Sequence, residues 1–342
     1  MGASSSRTSR SRGPGPSGPL REDRFHEWVA RRLRPPLGPL PVGDDAAALP
    51  LGSGRVALLT SDALVEGYHF LPGAPPRRVG AAAASVNLSD VAAKGGRPIA
   101  FLLDLLLPPG TPESWARGVV DGAARELARY GVHVVGGDTK PSPRRAVVGT
   151  LVGFAPSDRL APRTGARPGD RLVTTGWVGR GGQAYRRWKD HPRSPAARVG
   201  LLRIQARVRE GPILARWARA MLDTSDGIAD SARLLAAASR VRVVVDESRL
   251  PLPRGLRRAR TGAARIRREA FLGGDYELLA TLPPRAVPAA RAALQRLGCP
   301  LTEIGRVERG RGAWLVTRDG AREPMPEGGW RPFGSARRAR SP

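Results

Sequence analysis

Carboxylates recur along this chain in short groups with small or hydroxyl-bearing neighbours. Between Gly43 and Phe70 the sequence reads GDDAAALPLGSGRVALLTSDALVEGYHF, with Asp44, Asp45 and Asp62 in two acidic groups. The apolar run Val56 to Leu59 between them reads as a strand that ends in Thr60, Ser61 and Asp62. Oxygen clusters on loops between strands are what hard cations such as Mg²⁺ require. Carboxylates this close repel one another unless positive charge lies between them. The same grammar returns in LSD at 88–90, GGD at 136–138 and DTSD at 223–226. Each group taken alone reads equally well as an Asp-containing turn, since Asp is a favoured turn residue. Their repetition in one chain points to metal and phosphate chemistry.

The GGD group ends the run VHVVGGDTK, Val132 to Lys140. Two glycines let a backbone approach a phosphate closely and expose its N–H groups, and Asp138 beside them can hold a bridging metal. A plain Gly-Gly turn is the alternative. No Gly-Lys dipeptide exists, so a Walker A loop is absent, and so are the H-R-D and D-F-G signatures. Phosphates would bind through metals, glycine backbone and Arg. Gly13 to Gly18 fits G-x-G-x-x-G, but no strand precedes it and prolines interrupt it.

The chain has 342 residues, and about 150 residues per domain suggests two domains. No apolar run approaches the ~20 residues of a membrane helix, which excludes that class. A single cysteine, Cys299, excludes an internal disulfide and fits a cytoplasmic protein. The net charge of +27 invites a nucleic-acid reading. The charge is almost all Arg, and Lys94, Lys140 and Lys189 are the only lysines. Spread evenly along an Ala-, Gly- and Pro-rich chain, it reads as codon bias. It would still attract anionic substrates.

Residues 1–20 form a Ser/Arg/Gly/Pro tail with no apolar periodicity, expected to be disordered. A helix begins near Arg21 and stops at Pro35-Pro36. A small-residue helix covers about Val79 to Ala93 and carries Asp90. The strand Ile99 to Leu107 follows, then a helix from Thr111 as N-cap, with Pro112 first, to about Arg129. Another strand spans Ala146 to Phe154. Loop-like composition from Pro156 to Asp170 marks the domain boundary. Beyond it come the strand Arg171 to Thr175, the Gly-rich segment Gly176 to Gly182, and MLDTSDGIAD opening an amphipathic helix. Gly273-Gly274-Asp275-Tyr276-Glu277 leads into the strand Leu278 to Leu282.

The ordered series GDDAAAL, TSDALVEGYHF, NLSDVAAKGGRP, GGDT, RTGARPGD, LDTSDGI, GGDYELL and IGRV resembles the thiamine-monophosphate kinase family. That family belongs to the aminoimidazole-ribonucleotide synthetase-like superfamily. The resemblance spans about residues 20 to 334. It implies an α/β, two-domain synthetase-like fold. Residues 21–156 would form an N-terminal mixed sheet with helices that pairs across a homodimer. Residues 157–334 would form a C-terminal α/β domain, and 335–342 a frayed tail. It implies ATP as co-substrate, several Mg²⁺ ions and thiamine monophosphate as acceptor. By motif match the metal ligands would be Asp45, Thr60, Ser61, Asp62, Asp90, Asp138, Asp223 and Asp226. Gly137, Asp138, Arg163 and Ser225 would meet ATP, and His69 and Trp330 the thiamine substrate.

Two departures stand out. The family pattern Gly-Gly-Glu-Asp-Tyr-Glu lacks its first Glu here. Asp275 and Glu277 are the candidates to stand in, and Gly274→Glu is expected to be neutral or to improve substrate use. The Pro-x-Pro-Arg segment expected before DTSD is degraded, at Ala206 to Gly211. Two other readings stay open. One is an ATP-using relative acting on another phosphorylated or amide substrate. The other is a non-catalytic nucleic-acid binder on the same scaffold.

Overall fold

The computed structural model describes residue 20 and residues 22–33, 38–258 and 263–329. The two expected tails fall almost wholly outside these. Helix α1 (Glu22–Arg32) precedes a first sheet and its helices: β1 (Ala47–Gly52), β2 (Arg55–Val65), α2 (Pro76–Ala93), β3 (Arg97–Leu107), α3 (Glu113–Ala128), β4 (His133–Gly136), β5 (Thr139–Pro141) and β6 (Ala146–Pro156). The sheet order is β1-β2-β6-β3-β4, with β5 also on β3. It is mixed: β4 and β5 run parallel to β3, while β1, β2, β6 and β3 pair antiparallel.

The second half holds β7 (Arg171–Thr175), α4 (Arg180–Asp190), α5 (Pro195–Gly200), α6 (Gly211–Leu214), β8 (Ala220–Asp223), α7 (Ile228–Ser239), β9 (Arg242–Asp246), α8 (Arg254–Arg258), α9 (Ala263–Phe271), β10 (Leu278–Leu282), α10 (Val287–Gln295), β11 (Leu301–Glu308), β12 (Gly312–Val316) and β13 (Arg322–Pro324). Its sheet order is β13-β12-β9-β11-β7-β10-β8. Strand β10 runs antiparallel to both β7 and β8. The ends of β7 and β8 and the start of β10 therefore share one edge of this sheet.

Side-chain alternation explains the first sheet. Val56, Leu58, Thr60 and Leu64 of β2 face α2 and are buried. Phe101, Leu103 and Leu105 do the same on β3. Helix α2 presses close because its residues are small. A Cβ at Gly80 would lie 1.9 Å from the Val119 carbonyl of α3, and one at Gly122 only 2.0 Å from that of Arg77. Among the described residues, no helix packs on the opposite face of the sheet. There Leu59, Val152 and Ala100 form one row and Ser61, Thr150 and Leu102 the next.

Two expectations change. Strand β2 does not stop at Leu59 but continues to Val65, while LSD at 88–90 lies inside α2, on the helix expected there. Two of the acidic groups are thus carried on regular elements, not turns. An uninterrupted ladder to β6 holds β2 extended through Asp62. Helix α3 starts at Glu113 with Pro112 as its N-cap. The Thr111 hydroxyl donates instead to the Pro108 carbonyl, at 2.8 Å.

Candidate active site

Period-2 alternation on β2 puts Thr60 and Asp62 on the α2 side. Thr60 Oγ1 donates to Asp90 Oδ2 at 2.5 Å. Asp223, at the end of β8, accepts from Ser89 Oγ of α2 at 2.6 Å and from Ser225 Oγ at 2.7 Å. A strand and a helix of the first half thus meet a strand end of the second half around Asp62, Asp90 and Asp223. A backbone lace fixes that end. Gly274 N donates to Ser225 O at 2.7 Å, and a Cβ at Gly273 would lie 2.5 Å from the same oxygen.

Charge is unevenly met in this cleft. Burial, then the Asp223 and Asp45 charges, raise the Asp62 pKa to about 6, although its side chain still reaches solvent. Burial and the Asp62, Asp223 and Asp45 charges push Asp90 well above the usual carboxylate range. Burial and Asp45 raise Asp223, and hydrogen bonds from Ser89 and Ser225 offset part of this. Among the described residues, none of these three has an ion-pair partner. Asp45 differs: burial opposes its charge, but Lys94 and Arg163 hold its pKa down.

Carboxylates that bind protons too readily suit a divalent cation, because both answer the same uncompensated charge. Among the described residues, no three Asp, Glu, His or Cys side chains close around one ion. That suits Mg²⁺, which is bound through one or two carboxylates with waters and substrate phosphates rather than in an all-protein cage. One or two of Asp62, Asp90 and Asp223, with the Thr60 hydroxyl that bonds Asp90, suit such a shell.

Other expected residues are placed differently. Ser61 points to the open sheet face, where its hydroxyl bonds Gly149 O at 3.2 Å and meets Thr150 Oγ1 at 3.0 Å. Strand alternation separates its side chain from Asp62. Asp138 is exposed and paired with Lys140 at 2.9 Å, and that lysine and the Thr139 N–H lower its pKa. Gly137 is demanded by packing before any ligand, since a Cβ there would lie 1.9 Å from Leu103 O. Arg163 is mostly consumed: its backbone N–H and Nε donate to Asp44 at 3.1 and 3.2 Å, and one Nη donates to Asp45. Asp226 is exposed, in the turn with Ser225 that follows β8. His69 Nδ1 accepts from Val65 N at 3.0 Å, and burial lowers its pKa, so the neutral ring carries its proton on Nε2. Trp330 lies outside the described residues.

The expected stand-ins for the missing Glu are both engaged. Asp275 accepts from Gly179 N at 2.7 Å and Gly181 N at 2.8 Å, tying down the start of α4. Glu277 is buried in a two-pronged pair with Arg207, both bonds 2.6 Å, and also accepts from Thr175 Oγ1 at 2.8 Å. Arg207 comes from the segment that reads as degraded. Backbone strain weighs against the expectation for Gly274→Glu. Gly274 sits at φ +80°, and its Cβ would meet Gly181 Cα at 3.3 Å, so any side chain there is strained.

Sequence reasoning passed over Lys94, which is fully buried at the C-terminus of α2. A lysine directly after an apolar helical run, in a chain with few lysines, was the available signal. It also passed over Tyr276, at φ +54° with its ring against the first core. Burial, then the charges of Asp62, Asp223, Asp226 and Asp90, keep that phenol protonated.

Residues 43–155 match the family model described as AIR synthase related protein, N-terminal domain, and residues 167–316 match its C-terminal domain. The thiamine-monophosphate kinase of Pyrococcus horikoshii is 32% identical over 290 residues, covering 84% of this chain and 90% of that protein. The Halobacterium salinarum protein of the same name is 35% identical, covering 84% and 93%. A solved structure, AaThiL complexed with AMPPCP and TMP, superposes with a TM-score of 0.78 at 31% identity over 91% of this chain and 97% of that one. A HypE–HypF complex shares the fold, with a TM-score of 0.72 at 17% identity, covering 89% of this chain and 99% of that one.

Proposed function

The chain belongs to the thiamine-monophosphate kinase family, and from that premise we propose that it transfers the γ-phosphoryl group of ATP to thiamine monophosphate, giving thiamine diphosphate. The observation that carries the reading is the cleft between the two halves. Three carboxylates from β2, α2 and β8 gather there, and among the described residues none of them has an ion-pair partner. A site that brings two polyanions together needs such a place.

Asp62, Asp90 and Asp223, with Thr60, are assigned to hold Mg²⁺, with Asp226 and Asp138 at the rim. Bound Mg²⁺ would neutralise the phosphates and fix an in-line geometry. The acceptor phosphate is already ionised at neutral pH and needs no general base. Transfer is direct, with no phosphoenzyme. Arg163 can offer ATP only the guanidinium N–H groups not spent on Asp44 and Asp45. Gly137 and Ser225 are assigned to the nucleotide side, and the His69 Nε2–H and Trp330 to the acceptor side.

We assign the open face of the first sheet to a second copy of this chain. Leu102 is 39% exposed and Val135 64% there, and an uncovered apolar sheet face calls for a partner. No described helix is long and apolar enough to cross a membrane, and use of ATP assigns the protein to the cytoplasm.

Incubating the protein with ATP, Mg²⁺ and thiamine monophosphate and separating the products by chromatography tests the proposal. Thiamine diphosphate is the expected product. One observation favours a second reading, an ATP-using relative with another acceptor: both carboxylates of the GGDYE segment are engaged internally. ATP hydrolysis without thiamine diphosphate would select it.

A further inference from the structure

The carboxylates of this cleft divide into two groups. Asp44 and Asp45 face two cations, Lys94 and Arg163. Among the described residues, Asp62, Asp90 and Asp223 have no cation within ion-pair distance, although the Arg163 charge is felt at Asp223. Lys94 is the unusual member, because a fully buried lysine is rare unless paired. Its Nζ lies 2.7 Å from Asp44 Oδ1, 2.9 Å from Asp45 Oδ2 and 2.7 Å from the Met221 carbonyl oxygen. These oxygens come from the GDD turn and from β8, while the lysine comes from the end of α2. Three hard oxygens converge on one point between the two halves, and the ammonium sits on it. Asp45 Oδ2 is buried and has no hydrogen bond of good geometry. The ammonium meets that oxygen as a charge, as a metal ion would.

Building on the reading above, we infer that the Lys94 ammonium is a built-in cation standing where a divalent ion would otherwise bind between Asp44, Asp45 and Met221 O, so that metal ions are drawn only to the Asp62, Asp90 and Asp223 group. Asp45 is then no metal ligand in this chain. Its function is to hold Lys94 and Arg163, and through them the contact between the halves. The oxygens stand 2.7–2.9 Å from the occupied point. Metal–oxygen distances of about 2.1–2.5 Å require only a small contraction once the ammonium is gone.

The test counts bound ions. Mn²⁺ alone is titrated against the full chain, and free Mn²⁺ is read by electron paramagnetic resonance. Lys94→Ala is expected to bind one more Mn²⁺ per chain than the parent. Saturating Mn²⁺ should also raise the variant's melting temperature by roughly 5 °C more than the parent's, with NaCl of equal ionic strength as control. An unchanged count, with a melting temperature that Mn²⁺ does not restore, would mean a merely structural lysine and overturn the inference. Should Lys94→Ala fail to fold even with Mn²⁺, Asp45→Asn decides. A count equal to the parent's upholds the inference, and a lost ion overturns it. The parent's own count reads the metal assignment of the proposed function separately.

Discussion

A single carboxylate in this cleft has two demands on it, and they conflict. Folding disfavours the charge of Asp62, Asp90 and Asp223, because burial and mutual repulsion both act against it. Metal and phosphate chemistry needs that charge. Asp62→Asn should therefore raise the melting temperature of the metal-free protein and lower kcat/KM at least about 100-fold, with an unchanged circular dichroism spectrum. Near-parental turnover at ordinary Mg²⁺ would remove Asp62 from the metal site. Cys299 offers a residue-scale probe away from the site. It is 1% exposed, and burial raises its thiol pKa from 9.0 to about 12. The unfolded thiol ionises first, so its contribution to stability is complete below pH 9 and is lost as pH rises toward about 12. Iodoacetamide should leave the native protein unlabelled at pH 8 and label it in denaturant. Rapid native labelling would contradict the burial.

At the scale of elements, glycines set how closely the helices and loops approach. Propensity alone says that Gly122→Ala should stabilise α3 by about 1 kcal/mol. The structure predicts the opposite, because the new Cβ would lie 2.0 Å from the Arg77 carbonyl and force α2 and α3 apart. Overpacking costs about 1–3 kcal/mol, enough to outweigh the propensity gain. A lower urea midpoint is the expected result, and a higher one would show that the helices can separate freely. Gly274→Ala should cost about 1 kcal/mol through its positive φ alone. Because Gly274 N bonds Ser225 O, the same change should also disturb the turn that carries Asp223. A raised KM for ATP beside a modest stability loss would register both effects.

The whole molecule is two sheets closed on each other by polar contacts at the cleft and by apolar packing beside it, with one sheet face left bare among the described residues. Ser89, Lys94 and Tyr276 cross between the halves, so the site exists only when both are docked. The bare face carries Leu102 opposite Thr150, and Thr150 opposite Ser61. If a second copy covers it, sedimentation should give a dimer at micromolar concentration. Leu102→Lys should then shift the protein to monomer while leaving the near-ultraviolet spectrum of each chain intact. A parent that sediments as a monomer would leave this face without its assigned partner.

Family, acidic motifs and most element types were legible in the sequence, because each is local. GDD, TSD, LSD and DTSD are contiguous residues, and the period of β2 and the small residues of α2 can be read within one window. Locality is also why the reading stopped where it did. That Ser61 turns away from Asp62 follows from β2 continuing as a strand, which its ladder with β6 decides. Lys94 meets Asp44 across 50 residues, Arg207 meets Glu277 across 70, and Ser89 meets Asp223 across 134. Which carboxylate receives a cation, which is spent on a backbone N–H and which stays unpaired depends on these meetings. Coulomb forces act on distance in space, and only the packed chain sets those distances.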